Sequence, residues 1–151
     1  MNERPRIEIT VDRPSRCYKP EDILVATFHV QGLTPPEIQA IEASVLWYTE
    51  GTGEEDLSTH DFRRLLPIDP RDQDLTRRRQ FQTHLPRSPL SYDGVIVKIR
   101  WAIRVRVFLQ QGRDYYEEIP FRLGDLAPAE IAPTLESETN PKERRKADNA
   151  A

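Results

Sequence analysis

Residues 95–109, Val-Ile-Val-Lys-Ile-Arg-Trp-Ala-Ile-Arg-Val-Arg-Val-Phe-Leu, alternate between apolar and charged positions almost without a break. Val95, Val97, Ile99, Trp101, Ile103, Val105, Val107 and Leu109 fall on one face; Lys98, Arg100, Arg104 and Arg106 fall on the other. A period of two places successive side chains on opposite sides of an extended chain, so the segment reads as a half-buried antiparallel strand and not as a helix. It is about three times as long as the typical strand of ~5–6 residues. That length predicts a strand that bends from one sheet into a second and contributes to both. Ile96 and Phe108 loosen the charged face at its two ends.

The same period recurs along the chain. Ile7, Ile9 and Val11 alternate with Glu8, Thr10 and Asp12, and Arg13-Pro14-Ser15 ends that strand. Further strands are predicted at residues 23–30, 39–49, 57–66, 77–85 and 115–123, separated by Pro, Gly and Asp clusters of the kind that turns require. The third carries Ile41, Ala43, Val45 and Trp47 on one face, the fourth is weaker in pattern, and Gln111-Gly112-Arg113-Asp114 reads as a hairpin turn. Seven strands with no helical period predict an all-β fold, an antiparallel β-sandwich of about seven strands.

Composition changes this picture at one end and narrows the chemistry. At 151 residues a single domain is expected, and residues 127–151 combine few apolar anchors with three prolines and many charges. Such a segment cannot bury enough surface to offset chain ordering, so the expected division is a sandwich over 1–126 and a disordered tail over 127–151. A net charge of −3 gives no global attraction to nucleic acid or an anionic membrane. Cys17 is the only cysteine, which excludes an intrachain disulfide and a zinc site built on several thiolates. The first residues contain no apolar signal core, so a cytoplasmic location is expected.

Several landmarks, in order, resemble one domain of the arrestin fold, itself an immunoglobulin-like sandwich. Tyr18-Lys19-Pro20-Glu21-Asp22 is similar to that family's Tyr-x-Pro-Gly-Asp/Glu turn, and Phe81-Gln82-Thr83-His84-Leu85-Pro86 resembles its Phe-x-Phe-x-Leu-Pro strand end. Ser88-Pro89-Leu90-Ser91-Tyr92-Asp93-Gly94 resembles the Pro-Pro-Ser-Tyr/Phe-x-Gly loop, and Ile99-Arg100-Trp101-Ala102-Ile103-Arg104-Val105 stands where the family has Ile-x-Tyr-x-Val-x-Ala. Glu21 replaces the turn glycine, Ala26 replaces a common strand glycine, and Trp101 replaces tyrosine. The chain has room for one such sandwich where arrestins carry two. The resemblance implies a non-enzymatic adaptor or scaffold that binds a protein or peptide through loops or a sheet edge.

Two groups are candidate sites. Lys98, Arg100, Arg104 and Arg106 form a basic strand face that could meet phosphates, lipid headgroups or an acidic peptide; the competing reading pairs them with Glu8, Asp12, Glu117 or Glu118. Glu50, Gly51, Thr52, Gly53 and Glu54 form a surface turn suited to partner contact, without the ligand spacing of a calcium loop. Arg77-Arg78-Arg79 lacks the interleaved aromatics of a nucleic-acid surface, so no nucleic-acid partner is expected. His29, His60 and His84 have no metal spacing, and His84 with Ser88, Ser91 and Asp93 lacks a nucleophile elbow. No cofactor, metal or catalytic residue is expected. Trp47, Trp101, Phe81 and Tyr92 are read as core and loop packing. A peripheral membrane module and a homodimer are the alternatives to the adaptor.

Overall fold

A computed structural model of the chain describes residues 4–53, 55–68 and 73–124. Glu54, the boundary at residue 126 and the expected tail lie outside the described residues. Nine strands are present among those described: β1 (Arg6–Val11), β2 (Cys17–Tyr18), β3 (Ile23–Gln31), β4 (Ile38–Gly51), β5 (Leu57–Leu65), β6 (Arg79–His84), β7 (Tyr92–Asp93), β8 (Val97–Leu109) and β9 (Asp114–Leu123). They form two sheets, one of order β1-β3-β6 and a larger one of order β2-β9-β8-β4-β5, with β7 also on β8. The all-β sandwich is therefore as expected. Two short strands, β2 and β7, are added to the seven that the pattern predicts, and two residues carry too little period to announce themselves.

The alternating positions supply the core. Ile7, Ile9, Leu24, Phe28, Val30, Ile41, Val45, Phe81, Trp101, Ile103, Val105 and Val107 meet between the sheets. Trp101 is buried and its indole Nε1 donates to the carbonyl of Pro89 at 2.8 Å. That bond ties the centre of β8 to the proline-rich loop before it. The loop is held further by Leu85 N–H to Asp22 O (2.9 Å), Ser91 N–H to Leu123 O (2.8 Å) and Leu123 N–H to the Ser91 hydroxyl (2.9 Å). Burial of an aromatic ring of this size is worth several kcal/mol, and Trp→Ala changes in such sites cost about 3–5 kcal/mol.

The long strand departs from expectation in two ways. It does not pass from one sheet to the other: all its partners, β4 on one side and β7 then β9 on the other, belong to the larger sheet. The 14-residue β4 runs beside nearly its whole length, so the strand stays straight enough to serve as the middle of one sheet. It also begins at Val97 and not at Val95. Val95 and Ile96 form a hairpin tip and are exposed at 102% and 71%, so the apolar face starts only at Ile99. Tyr92, expected to pack, is exposed as well.

Candidate functional site

Because paired residues share a face, the registers lay out the outer surface of the larger sheet. Arg64, Glu42, Arg106 and Tyr116 form one cross-strand row, and Phe62, Ser44, Arg104 and Glu118 form the next. Leu46, Ala102 and Pro120 follow, then Leu57, Tyr48 and Arg100. Leu46 and Ala102 are buried although they face away from the core, beneath the long side chains around them.

The basic stripe is largely paired. Arg100 reaches Glu50 at 3.2 Å and Asp93 at 3.1 Å, Arg104 reaches Glu118 at 2.9 Å, and Arg106 lies 3.5 Å from Asp114. Arg64 also pairs with Glu42. Of the acidic residues expected opposite the stripe, Glu118 pairs with it; Glu8 and Asp12 lie with the other sheet. Glu50, Asp93 and Asp114 were missed because their approach depends on the registers of β4, β7 and β9. Lys98 stands opposite Glu50 and Asp93 in those registers. Such exposed pairs each contribute about 0–1 kcal/mol.

Arginine and aromatic side chains interleave on this face. Arg64 lies over Phe108 at 5.8 Å, and Arg106 lies near both Phe108 (6.0 Å) and Tyr116 (5.3 Å). Arg104 shares Tyr116 at 5.3 Å. Phe62 and Tyr116 are more than half exposed. A groove of about 510 Å³ crosses the face between Tyr48, Asp56, Leu57, Arg104, Tyr116 and Glu118. Burial, with Glu118 and Glu50 nearby, pushes the Tyr48 phenol upward, so it stays a neutral hydrogen-bonding group at any ordinary pH.

The turn after β4 is the second candidate. Glu50, Gly51, Thr52 and Gly53 are exposed, and the turn closes through Thr49 N–H to Asp56 O and Asp56 N–H to the Thr49 hydroxyl, both 2.9 Å. Gly51 pairs with Val97, which sets this turn against the Val95–Ile96 tip. A Cβ on Gly51 would stand 2.3 Å from the Ile96 carbonyl oxygen, so only glycine allows this approach.

A third constellation surrounds the Tyr18 turn. The buried Tyr18 hydroxyl donates to Asp12 at 2.6 Å, and Arg13 stacks on its ring at 4.6 Å while pairing with Asp22 at 2.8 Å. Glu21 adopts φ 73°, the left-handed region that the glycine of the similar motif would occupy without strain. This arrangement holds the entry to β3 and presents no free reactive group. Among the described residues, no group of three His, Cys, Asp or Glu could hold a metal ion. His60 donates through Nε2 to His84 O at 2.7 Å, while His29 lies on the other sheet.

No family model and no curated sequence matches this chain. Among solved structures, it is similar to Spo0M, a sporulation control protein from Bacillus subtilis, with 15% identity and a TM-score of 0.55. The match covers 87% of this chain and 53% of Spo0M, so the chain spans about half that protein's length. The likeness supports an arrestin-like fold, in keeping with the landmarks of the sequence.

Proposed function

We propose that this chain is a non-enzymatic, cytoplasmic adaptor or scaffold that binds a protein or peptide on the outer face of its larger sheet. The interleaving of Arg64, Arg104 and Arg106 with Phe62, Phe108 and Tyr116 carries this reading. Protein interfaces are enriched in arginine and aromatic residues, which offer large contact area with few rotatable bonds. The fold shared with Spo0M, a control protein, adds to it. The acidic turn at Glu50–Gly53 borders the same face and would extend the contact.

The anionic-lipid alternative is less favoured, because Arg100, Arg104 and Arg106 already face carboxylates and little unbalanced charge remains. Capture from cell extract by the wild type and by a Phe62→Asp/Tyr116→Asp variant, followed by reconstitution with the purified candidate, tests the proposal. A partner that binds the wild type at least tenfold more tightly than the variant supports it; equal binding removes this face from consideration. Pelleting with phosphatidylserine vesicles at low salt, suppressed by high salt, would instead favour the lipid reading.

A further inference from the structure

Two features at one end of the molecule are left over from the outer-face reading. The first is the tip between β7 and β8. Gly94 N–H donates to Val97 O at 3.0 Å, so Val95 and Ile96 fill a two-residue hairpin connection. Such connections ordinarily take Asn, Asp or Gly, which suit the tight backbone and tolerate water. Here two β-branched aliphatic residues stand there instead, and both are exposed. The turn does not need them, so their apolar surface has another use. The tip is also held in place, by the close approach of Gly51 to Ile96 and by the Tyr92 ring over Gly94.

The second feature is a cleft of about 240 Å³ where β9 splays away from β8 toward β2, lined by Arg16, Cys17, Ile99, Arg100, Pro120 and Arg122 among others. Pockets for whole small ligands are typically ~300–1,000 Å³. This one suits one or two side chains. Arg100 and Arg122 of its rim already reach Asp93 at 3.1 and 3.4 Å, whereas the exposed Arg16 has no ion-pair partner among the described residues. The turn whose Gly51 packs on Ile96 also carries Glu55 and Asp56, which lack ion-pair partners among the described residues and border the outer-face groove.

We propose that two copies of this chain associate about a twofold axis, each inserting Val95 and Ile96 into the other's cleft, with Glu55 and Asp56 turned toward the partner copy's Arg16. Tip and cleft are complementary in both polarity and charge. They also sit close together: from Ile96 to Arg100 is four residues, about 13 Å of extended chain. A twofold axis between them makes both insertions at once, as an isologous contact requires. This contact borders the adaptor face at Asp56 and Arg100, but Val95, Ile96 and Arg16 lie outside that face, so variants at those three positions test the pairing alone.

Sedimentation velocity of the full chain, up to about 1 mM to reach weak association, tests the pairing. The expected result is a concentration-dependent dimer that a Val95→Asp/Ile96→Asp variant weakens at least tenfold. Arg16→Glu should weaken it by a similar factor, more at low salt than at high. These positions are exposed, and an unchanged melting curve shows that each variant is folded. Ile96→Cys, oxidised with copper phenanthroline, should cross-link to the native Cys17 of a second copy, and Cys17→Ser should abolish the product. A strict monomer, a dimer indifferent to both variants, or a cross-link that survives Cys17→Ser overturns the proposal.

Discussion

At Tyr18, burial and a carboxylate act on one phenol together. Burial, the hydrogen bond to Asp12 and the Asp12 charge all push the Tyr18 pKa well above its ordinary value. Burial alone would raise the Asp12 carboxyl, but hydrogen bonds from Tyr18 and backbone N–H groups, with Arg13 nearby, outweigh it and leave the carboxyl below its ordinary range. Both shifts link stability to pH. The raised phenol contributes stability that is complete below about pH 10 and is lost above it. The lowered carboxyl contributes stability that is complete above about pH 4 and is lost as the pH falls further. Tyr18→Phe should therefore cost about 1.5–3 kcal/mol at neutral pH, the range for a hydrogen bond to a charged group. In urea titrations across pH, the variant should also show a shallower alkaline decline, the remainder coming from Tyr48, and a shallower acid one. An unchanged profile would mean that the bond contributes nothing to the fold.

Among the elements, the paired hairpins β4–β5 and β7–β8 depend on one glycine. Gly51→Ala would drive a methyl group into the Ile96 carbonyl, and a backbone clash of this kind should cost about 1–3 kcal/mol by denaturant unfolding. Gly53→Ala, with open space around it, should cost less than about 0.5 kcal/mol. Most elements were legible in the sequence through their period-two apolar positions, and burial follows that period cleanly in β1, β3, β6 and the second half of β8. The strand β5 read weakly for a physical reason: its inner side carries His60, Asp61 and Arg63, which reach across to β6 instead of filling the core. Val95 and Ile96 were misassigned because alternation cannot distinguish an apolar strand residue from an apolar hairpin tip. The basic stripe was correctly placed on one face. Of its partners only Glu118 was legible; Glu50, Asp93 and Asp114 come from strands whose registers no local pattern records.

Across the whole molecule, the sandwich is closed on one side by side chains. His60 and Arg63 donate to the carbonyls of His84 and Gln82 at 2.7 and 2.8 Å, and Arg63 also covers the Phe81 ring at 5.2 Å. Polar side chains turned inward from an edge strand protect β6 from pairing with another chain. Arg63→Ala should thus cost about 1–2 kcal/mol, through the lost bond and ring cover. Arg64→Ala, which breaks an exposed cross-strand pair, should cost under about 1 kcal/mol. Equal thermal destabilisation of the two would show that the seam adds nothing. The other side is joined by the parallel pairing of β2 with the end of β9, sealed by Arg122 N–H to Arg16 O and Gly124 N–H to Tyr18 O. Those partners lie more than a hundred residues apart in the chain. At a synthesis rate of ~5–20 residues per second, β2 leaves the ribosome roughly 5–20 s before β9 does. During that interval the nascent sheet has an open margin, and the cell's folding helpers have their longest opportunity to act on it.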